Sequence, residues 1–338
     1  MIRNIHLLPY IVLLTLLGSC GHKTQSSYAE ADTLILRPCP QFQADSAMSH
    51  IKTQCTFGPR VTGTEASLLC AQWIKSAFER YNCVTEFQDD TVKIWDGTRL
   101  PCRNIIARIN PDQSDRILIC AHWDSRPWAD NDPDSTNHRT PVLAANDGAS
   151  GVAVMLELAR AISESPFTTL GIDFVCFDAE DMGTPEWADE VDDTATSTWC
   201  LGSEVWAHKA RMSGYEARYG ILLDMVGGRG ATFAREQVSN QYAAPLLNLV
   251  WSLASQLGYS SFFVKREGGA IMDDHVNVNS IAAIPCIDIV PNYEHGPSSF
   301  GPTWHTVHDT PDNIDPATLN AVGHTLIQLI YNESCLGL

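Results

Sequence analysis

The acids and histidines of this chain fall just after short apolar runs, and that placement constrains the fold more than any other feature. Ile117-Leu-Ile-Cys-Ala121 leads into His122-Trp123-Asp124, Gly171 to Phe177 into Asp178-Ala179-Glu180-Asp181, and Tyr219 to Leu223 into Asp224. Asn146-Asp147-Gly148 and Trp304-His305-Thr306 are two further segments of the same chemistry. A short apolar, partly β-branched run reads as a strand buried on both faces, as in a parallel sheet covered by helices. Open α/β sheets bind ligands outside the carboxyl ends of their strands. Several strands delivering His, Asp and Glu to one edge predict a divalent-metal site of mixed nitrogen and oxygen donors, with zinc the first candidate.

The remaining pattern agrees with such a sheet. Apolar residues at helical spacing predict helices over Ala66 to Tyr81, Gly148 to Ile162, Ser203 to Arg211, Ala243 to Leu257 and Pro316 to Tyr331. Strands are expected at Cys83 to Phe87, Asn104 to Ile109, Ile117 to Ala121, Gly171 to Phe177, Tyr219 to Leu223 and Ile284 to Val290. Alternation of this kind predicts an α/β three-layer sandwich, with a mixed, mostly parallel central sheet flanked by helices. Two long loops, Pro127 to Pro141 and Met182 to Thr198, lie beside the candidate ligands, where long loops carry function.

The chain has 338 residues, and its 22 Lys and Arg against 40 Asp and Glu leave a formal net charge of −18. A chain so acidic does not supply the basic face that phosphate recognition needs, so no nucleic-acid partner is expected. Residues 1–20 read as a signal peptide: Arg3, the apolar stretch Ile11 to Leu17, then Gly18-Ser19-Cys20. Leu17-Gly18-Ser19-Cys20 resembles a bacterial lipoprotein box, in which Cys20 carries the lipid, anchoring the protein to a membrane and facing it to the periplasm. Residues 21–36 read as a polar tether and 37–338 as one catalytic domain. The eleven cysteines include no Cys-x-x-Cys pair, and Cys120 and Cys176 lie inside apolar runs, where a free thiol acts as a small hydrophobe.

His-x-Asp at 122 to 124, Asn146-Asp-Gly-Ala-Ser-Gly151, the acidic pair Glu180-Asp181, Leu222-Leu-Asp224, Asp273-Asp-His275 and Trp304-His-Thr306 occur in an order that resembles the zinc-dependent glutaminyl cyclases of the animal type. That family shares its fold with the co-catalytic zinc aminopeptidases, and the lipoprotein signal makes the chain similar to bacterial, periplasm-facing members. The resemblance spans roughly residues 40 to 335. It implies one zinc per chain on Asp147, Asp181 and His305, with Glu180 as general acid/base and Asp224 and Asp273 in a hydrogen-bond network around it. It also implies that Trp304, Phe300 and Trp187 wall the substrate pocket and that Asp288, which stands where the animal enzymes carry a His, belongs with them to the substrate-binding residues. The ligand at 181 is an Asp where those enzymes have a Glu.

The implied reaction is cyclisation of an N-terminal glutamine of a peptide or protein to pyroglutamate with release of ammonia. The rival reading is a di-zinc aminopeptidase, with His122 and Asp224 binding a second metal bridged through Asp147 and with Glu180 activating water. A non-catalytic binding domain is a third reading, which the full set of ligands and base argues against.

Overall fold

The computed structural model of the chain describes residues 34–166, 170–188 and 198–334. Cys20, the expected signal peptide, all but the last residues of the expected tether, and Cys335 lie outside the described residues. Strands β1 (Val84–Lys93), β2 (Arg99–Ile109), β3 (Arg116–His122), β4 (Gly171–Phe177), β5 (Gly220–Leu223) and β8 (Cys286–Ile289) pair in the order β1-β2-β4-β3-β5-β8. The pairs β4-β3, β3-β5 and β5-β8 are parallel, while β1-β2 and β2-β4 are antiparallel. A separate parallel pair joins β6 (Phe233–Arg235) to β7 (Phe263–Glu267).

Every residue of β3, β4, β5 and β8 is buried, which is why those runs carry no alternating polar positions. Helices cover both faces. On one side Ile117, Ile119, Ile172, Phe174, Ile221 and Ile287 pack against helices α1 (Ala44–Thr56), α2 (Glu65–Arg80), α3 (Ala149–Glu164), α5 (Gln237–Gln256) and α7 (Pro316–Glu333). On the other, Leu118, Cys120, Val175, Phe177, Leu222 and Cys286 meet α4 (Leu201–Ser213) and α6 (Asp274–Ser280). The arrangement is the three-layer α/β sandwich expected from the sequence.

Helix α1 escapes the apolar pattern because two of its four buried positions, His50 and Gln54, are polar. The expected start of the helix at Ala243 marks a break within α5: Ala243 has a non-helical φ of −139°, two residues ahead of Pro245, and a further turn precedes it. Pro lacks the N–H and crowds the preceding turn, which accounts for the kink. Leu34 and the side chain of Gln256 on α5 exchange hydrogen bonds of 2.9 and 2.7 Å, so the end of the expected tether lies against the domain.

The start of α3 is pressed onto the ends of β3 and β5. A Cβ on Gly151 would lie 2.2 Å from Leu223 O and 2.7 Å from Ala121 Cβ, and one on Gly148 would lie 2.5 Å from His122 O. Only glycine allows this approach, and the approach is what sets Asp147 beside His122 and Asp224. Gly151→Ala is therefore expected to destabilise the fold by about 1–3 kcal/mol through overpacking, whereas Gly269→Ala, whose Cβ would meet nothing within 4 Å, should stay within about 0.5 kcal/mol of wild type. Urea unfolding of both variants checks this; equal midpoints would refute the packing argument.

Candidate active site

The carboxyl ends of β4 and β5, the turn before α3, the stretch before α6 and the segment between β8 and α7 converge on one cavity of ≈ 420 Å³. Asp147, Asp181 and His305 bring two carboxylate oxygens and an imidazole nitrogen within 4.8 Å of one another. His305 Nε2 lies 3.0 Å from Asp181 Oδ1 and 3.7 Å from Asp147 Oδ2. Both oxygens of Asp181 are buried, and beyond the His305 ring beside Oδ1 neither has a hydrogen-bond partner among the described residues. Buried carboxylate oxygens left unpaired are costly, and a cation held by the three donors satisfies them. Two oxygens and one nitrogen with a position open towards a cavity fit a catalytic zinc.

A second donor group adjoins the first. His122 Nε2 is 2.9 Å from Asp147 Oδ1 and 3.2 Å from Asp224 Oδ1, and these three residues also come within 4.8 Å of one another. Asp147 thus stands between both groups.

Three further buried carboxylates orient the donors. Asp124, fully buried, accepts the Glu180 N–H (3.1 Å) and the Asp181 N–H (3.2 Å) on its two oxygens and lies 3.3 Å from His122 Nδ1. The Asp309 carboxylate accepts the N–H groups of Asn146 (2.8 Å) and Asp147 (3.1 Å). Asp130 Oδ1 is 3.6 Å from His305 Nδ1, and Arg126 holds Asp130 while donating to the carbonyls of Asp181 (3.0 Å) and Gly183 (2.9 Å). The Asn131 N–H donates to His305 O at 3.1 Å and Asp132 accepts the Val307 N–H at 3.0 Å. The loop from Pro127 to Pro141 therefore serves to clamp the ligand-bearing segment at 305, where His305 has a left-handed φ of 53°.

Glu180 faces the cavity beside Asp181. Burial holds its carboxyl well above the usual carboxylate range; His122 offsets part of this, and Asp181, Asp273 and Asp274 add to it. Asp273 is likewise held up, first by burial and then by Asp224 and Asp274. Asp224 and Asp273 both line the cavity. Asp288 does not: it is fully buried with His275 Nδ1 3.7 Å away, and burial raises its carboxyl, with Asp273 and Asp224 adding to the effect.

The aromatic wall consists of Trp199, Phe300 and Trp304. Trp304 stacks on the His305 ring at 3.9 Å between centroids, Phe300 lies 4.8 Å from Trp304, and Trp199 runs parallel to His305 at 5.9 Å. Trp187, expected as the third wall residue, instead packs edge-on against Trp128 at 5.6 Å with Arg139 over its ring. Trp199 takes the place because Gly183 leaves room for it: a Cβ there would lie 1.9 Å from the indole. The loop between them has no periodicity from which its inward tryptophan could be read. Asp130, Asp309, Ile271 and Met272 also belong to the site without a sequence signal, since their roles arise only from tertiary contact.

The chain matches the family model described as peptidase family M28 over residues 104–330. A Zn-dependent exopeptidase from Parabacteroides distasonis ATCC 8503 is 45% identical, with a TM-score of 0.84 over 87% of this chain and 100% of the other. A Bacteroides thetaiotaomicron glutaminyl cyclase, solved bound to N-acetylhistamine, is 44% identical, with a TM-score of 0.84 over 87% of this chain and 99% of the other. Aminopeptidase YwaD of Bacillus subtilis (strain 168) is 26% identical over 262 residues, which are 73% of this chain and 48% of that protein. The chain spans about half the length of the first curated relatives it matches.

Asp124 is not among the residues that line the cavity, yet it sets both members of the acidic pair. Asp124→Asn replaces one acceptor by a donor facing an N–H, so it should weaken metal binding about 10- to 100-fold, as loss of an orienting partner does. Chelator competition on the purified variant measures this; unaltered metal affinity would remove Asp124 from the account.

Proposed function

The chain belongs to peptidase family M28, and on that premise we propose that it is a zinc-dependent glutaminyl-peptide cyclotransferase. The observation that carries the reading is the cavity itself: Glu180 and the three donors sit at the foot of a small chamber walled by Trp199, Phe300 and Trp304. A reaction that consumes no water gains from walls that exclude it and hold the glutamine chain folded on itself. The 44% identity to the Bacteroides thetaiotaomicron glutaminyl cyclase supports the same reading.

Asp147, Asp181 and His305 would hold the zinc, which when bound would supply a Lewis acid for the substrate's side-chain amide. The free α-amine attacks the amide carbon, forming the ring C–N bond, and Glu180 accepts the proton that the amine loses. Glu180 then returns it to the departing nitrogen, the original C–N bond breaks, and ammonia leaves. A carboxyl held above its usual range suits both halves of that transfer. Asp273 lies beside Glu180 and helps to hold its carboxyl up, and Asp224 lines the same cavity. The substrates are peptides and proteins with N-terminal glutamine. The Leu17-Gly18-Ser19-Cys20 box supports an exported protein anchored by lipid on Cys20 and facing the periplasm.

A di-metal aminopeptidase is the second reading, favoured by the donor group His122, Asp147 and Asp224. There Glu180 would activate a water molecule rather than deprotonate an amine.

Glu180→Gln should retain zinc while kcat falls about 10²- to 10⁴-fold, the usual weight of a general acid/base; an unchanged kcat would exclude Glu180 from proton transfer. Asp181→Ala should lose both zinc and turnover, and full metal occupancy in that variant, read by elemental analysis, would reject Asp181 as a ligand.

A further inference from the structure

Five consecutive residues, Gly269 to Asp273, line the cavity, and the stretch from Gly268 to Met272 lies in neither a helix nor a strand. Its start is tied to the approach to α5, with the Gly268 N–H donating to Arg235 O at 2.8 Å and the Gln237 N–H to Gly269 O at 3.1 Å. Its end is fixed by the Asp273 cap of α6. Between Ala270 and Met272, among the described residues, the backbone makes one hydrogen bond: the Ile271 N–H donates to Glu236 Oε1 at 3.1 Å.

Glu236 is 2% exposed and has both oxygens saturated. Oε1 also accepts the Val238 N–H at 2.7 Å, while Oε2 accepts the Ser239 N–H at 2.5 Å, the Ser239 hydroxyl at 2.7 Å and His275 Nε2–H at 3.2 Å. The Ser239 hydroxyl in turn accepts the Asp288 N–H at 2.9 Å. One carboxylate therefore joins the start of α5, strand β8, helix α6 and the cavity wall. Against its burial, the hydrogen bond and charge of His275 and the Ser239 donors hold Glu236 down to about 2, so it stays an acceptor on every side.

We infer that Glu236 is a positioning residue for the cavity: by fixing Ile271 from behind, it sets the distance between this wall and the aromatic wall of Trp304 and Phe300, and so how tightly the substrate's first residue is gripped. The inference rests on the proposed reading of the cavity as the seat of that residue. A wall that moves changes binding more than the proton transfer at Glu180, so the effect belongs in KM.

The test combines hydrogen exchange with kinetics on the full-length, zinc-loaded protein. In wild type the Ile271 amide should be protected. Glu236→Gln should raise its exchange rate about tenfold and raise KM for a glutaminyl dipeptide about tenfold, with kcat and zinc content within about threefold of wild type. Ser239→Ala loosens the same cap of α5 without releasing Ile271, and should leave KM within about twofold. An unprotected Ile271 amide in wild type, an unaltered KM in Glu236→Gln, or an equal KM rise in both variants would each overturn the inference. Should Glu236→Gln fail to fold, Ile271→Pro, which deletes the donated N–H, is compared with Ile271→Val; equal KM values for the two overturn it. Exchange at Ile271 needs no turnover, so a wild type that releases no ammonia defeats the proposed reaction while the exchange result still judges the role of Glu236.

Discussion

Unbalanced negative charge buried at the carboxyl edge of the sheet is the constraint on which the rest of the structure depends. Asp124, Asp147, Glu180, Asp181, Asp224 and Asp273 are all buried there, with His122 and His305 among them. Like charges so placed in low dielectric repel strongly unless cations or protons intervene. The protein answers in three ways: donor groups shaped for a metal around Asp147, backbone N–H groups aimed at Asp124 and Asp309, and acids such as Glu180 and Asp273 that stay protonated to higher pH. The Asp181 carboxylate, with the His305 ring beside one oxygen and no other hydrogen-bond partner among the described residues, is where this arrangement calls for a cation.

That constraint explains why parts of the site could be read from the sequence and others not. Asp124, Asp181 and Asp224 follow runs buried on both faces, and a strand of that kind announces both its burial and where its end lies. Asp147 is legible through Gly148 and Gly151, because a helix start that touches the sheet admits no side chain there. Trp199, Asp130 and Asp309 are different. They sit in loops without periodicity, and each acquires its role from a partner distant in the chain, such as Asp309 reaching Asn146. The sequence pointed to Trp187 as the third wall residue, and the space left by Gly183 gave that place to Trp199 instead. Helix α1 was hidden for the opposite reason: polar His50 and Gln54 occupy positions that the fold buries.

The two readings of the reaction share nearly all of this machinery. Glu180 serves as a base in both, and Asp147 adjoins both donor groups. What separates them chemically is the nucleophile: an amine already tethered to the amide it attacks, or a water molecule drawn from solvent. Stacked aromatic rings over His305 and a wall braced from behind by Glu236 suit the tethered amine, since both restrict the substrate's conformations and the entry of water.

The most direct test is a paired assay on one purified preparation of known metal content, supplied with a glutaminyl dipeptide. Ammonia and the pyroglutamyl product are measured against free amino acid released from the same peptide. The account predicts ammonia and pyroglutamyl product in equal amounts, no released N-terminal residue, and one zinc per chain. Release of the N-terminal amino acid with two zincs per chain would contradict it, making His122 and Asp224 metal ligands and Glu180 the base for water.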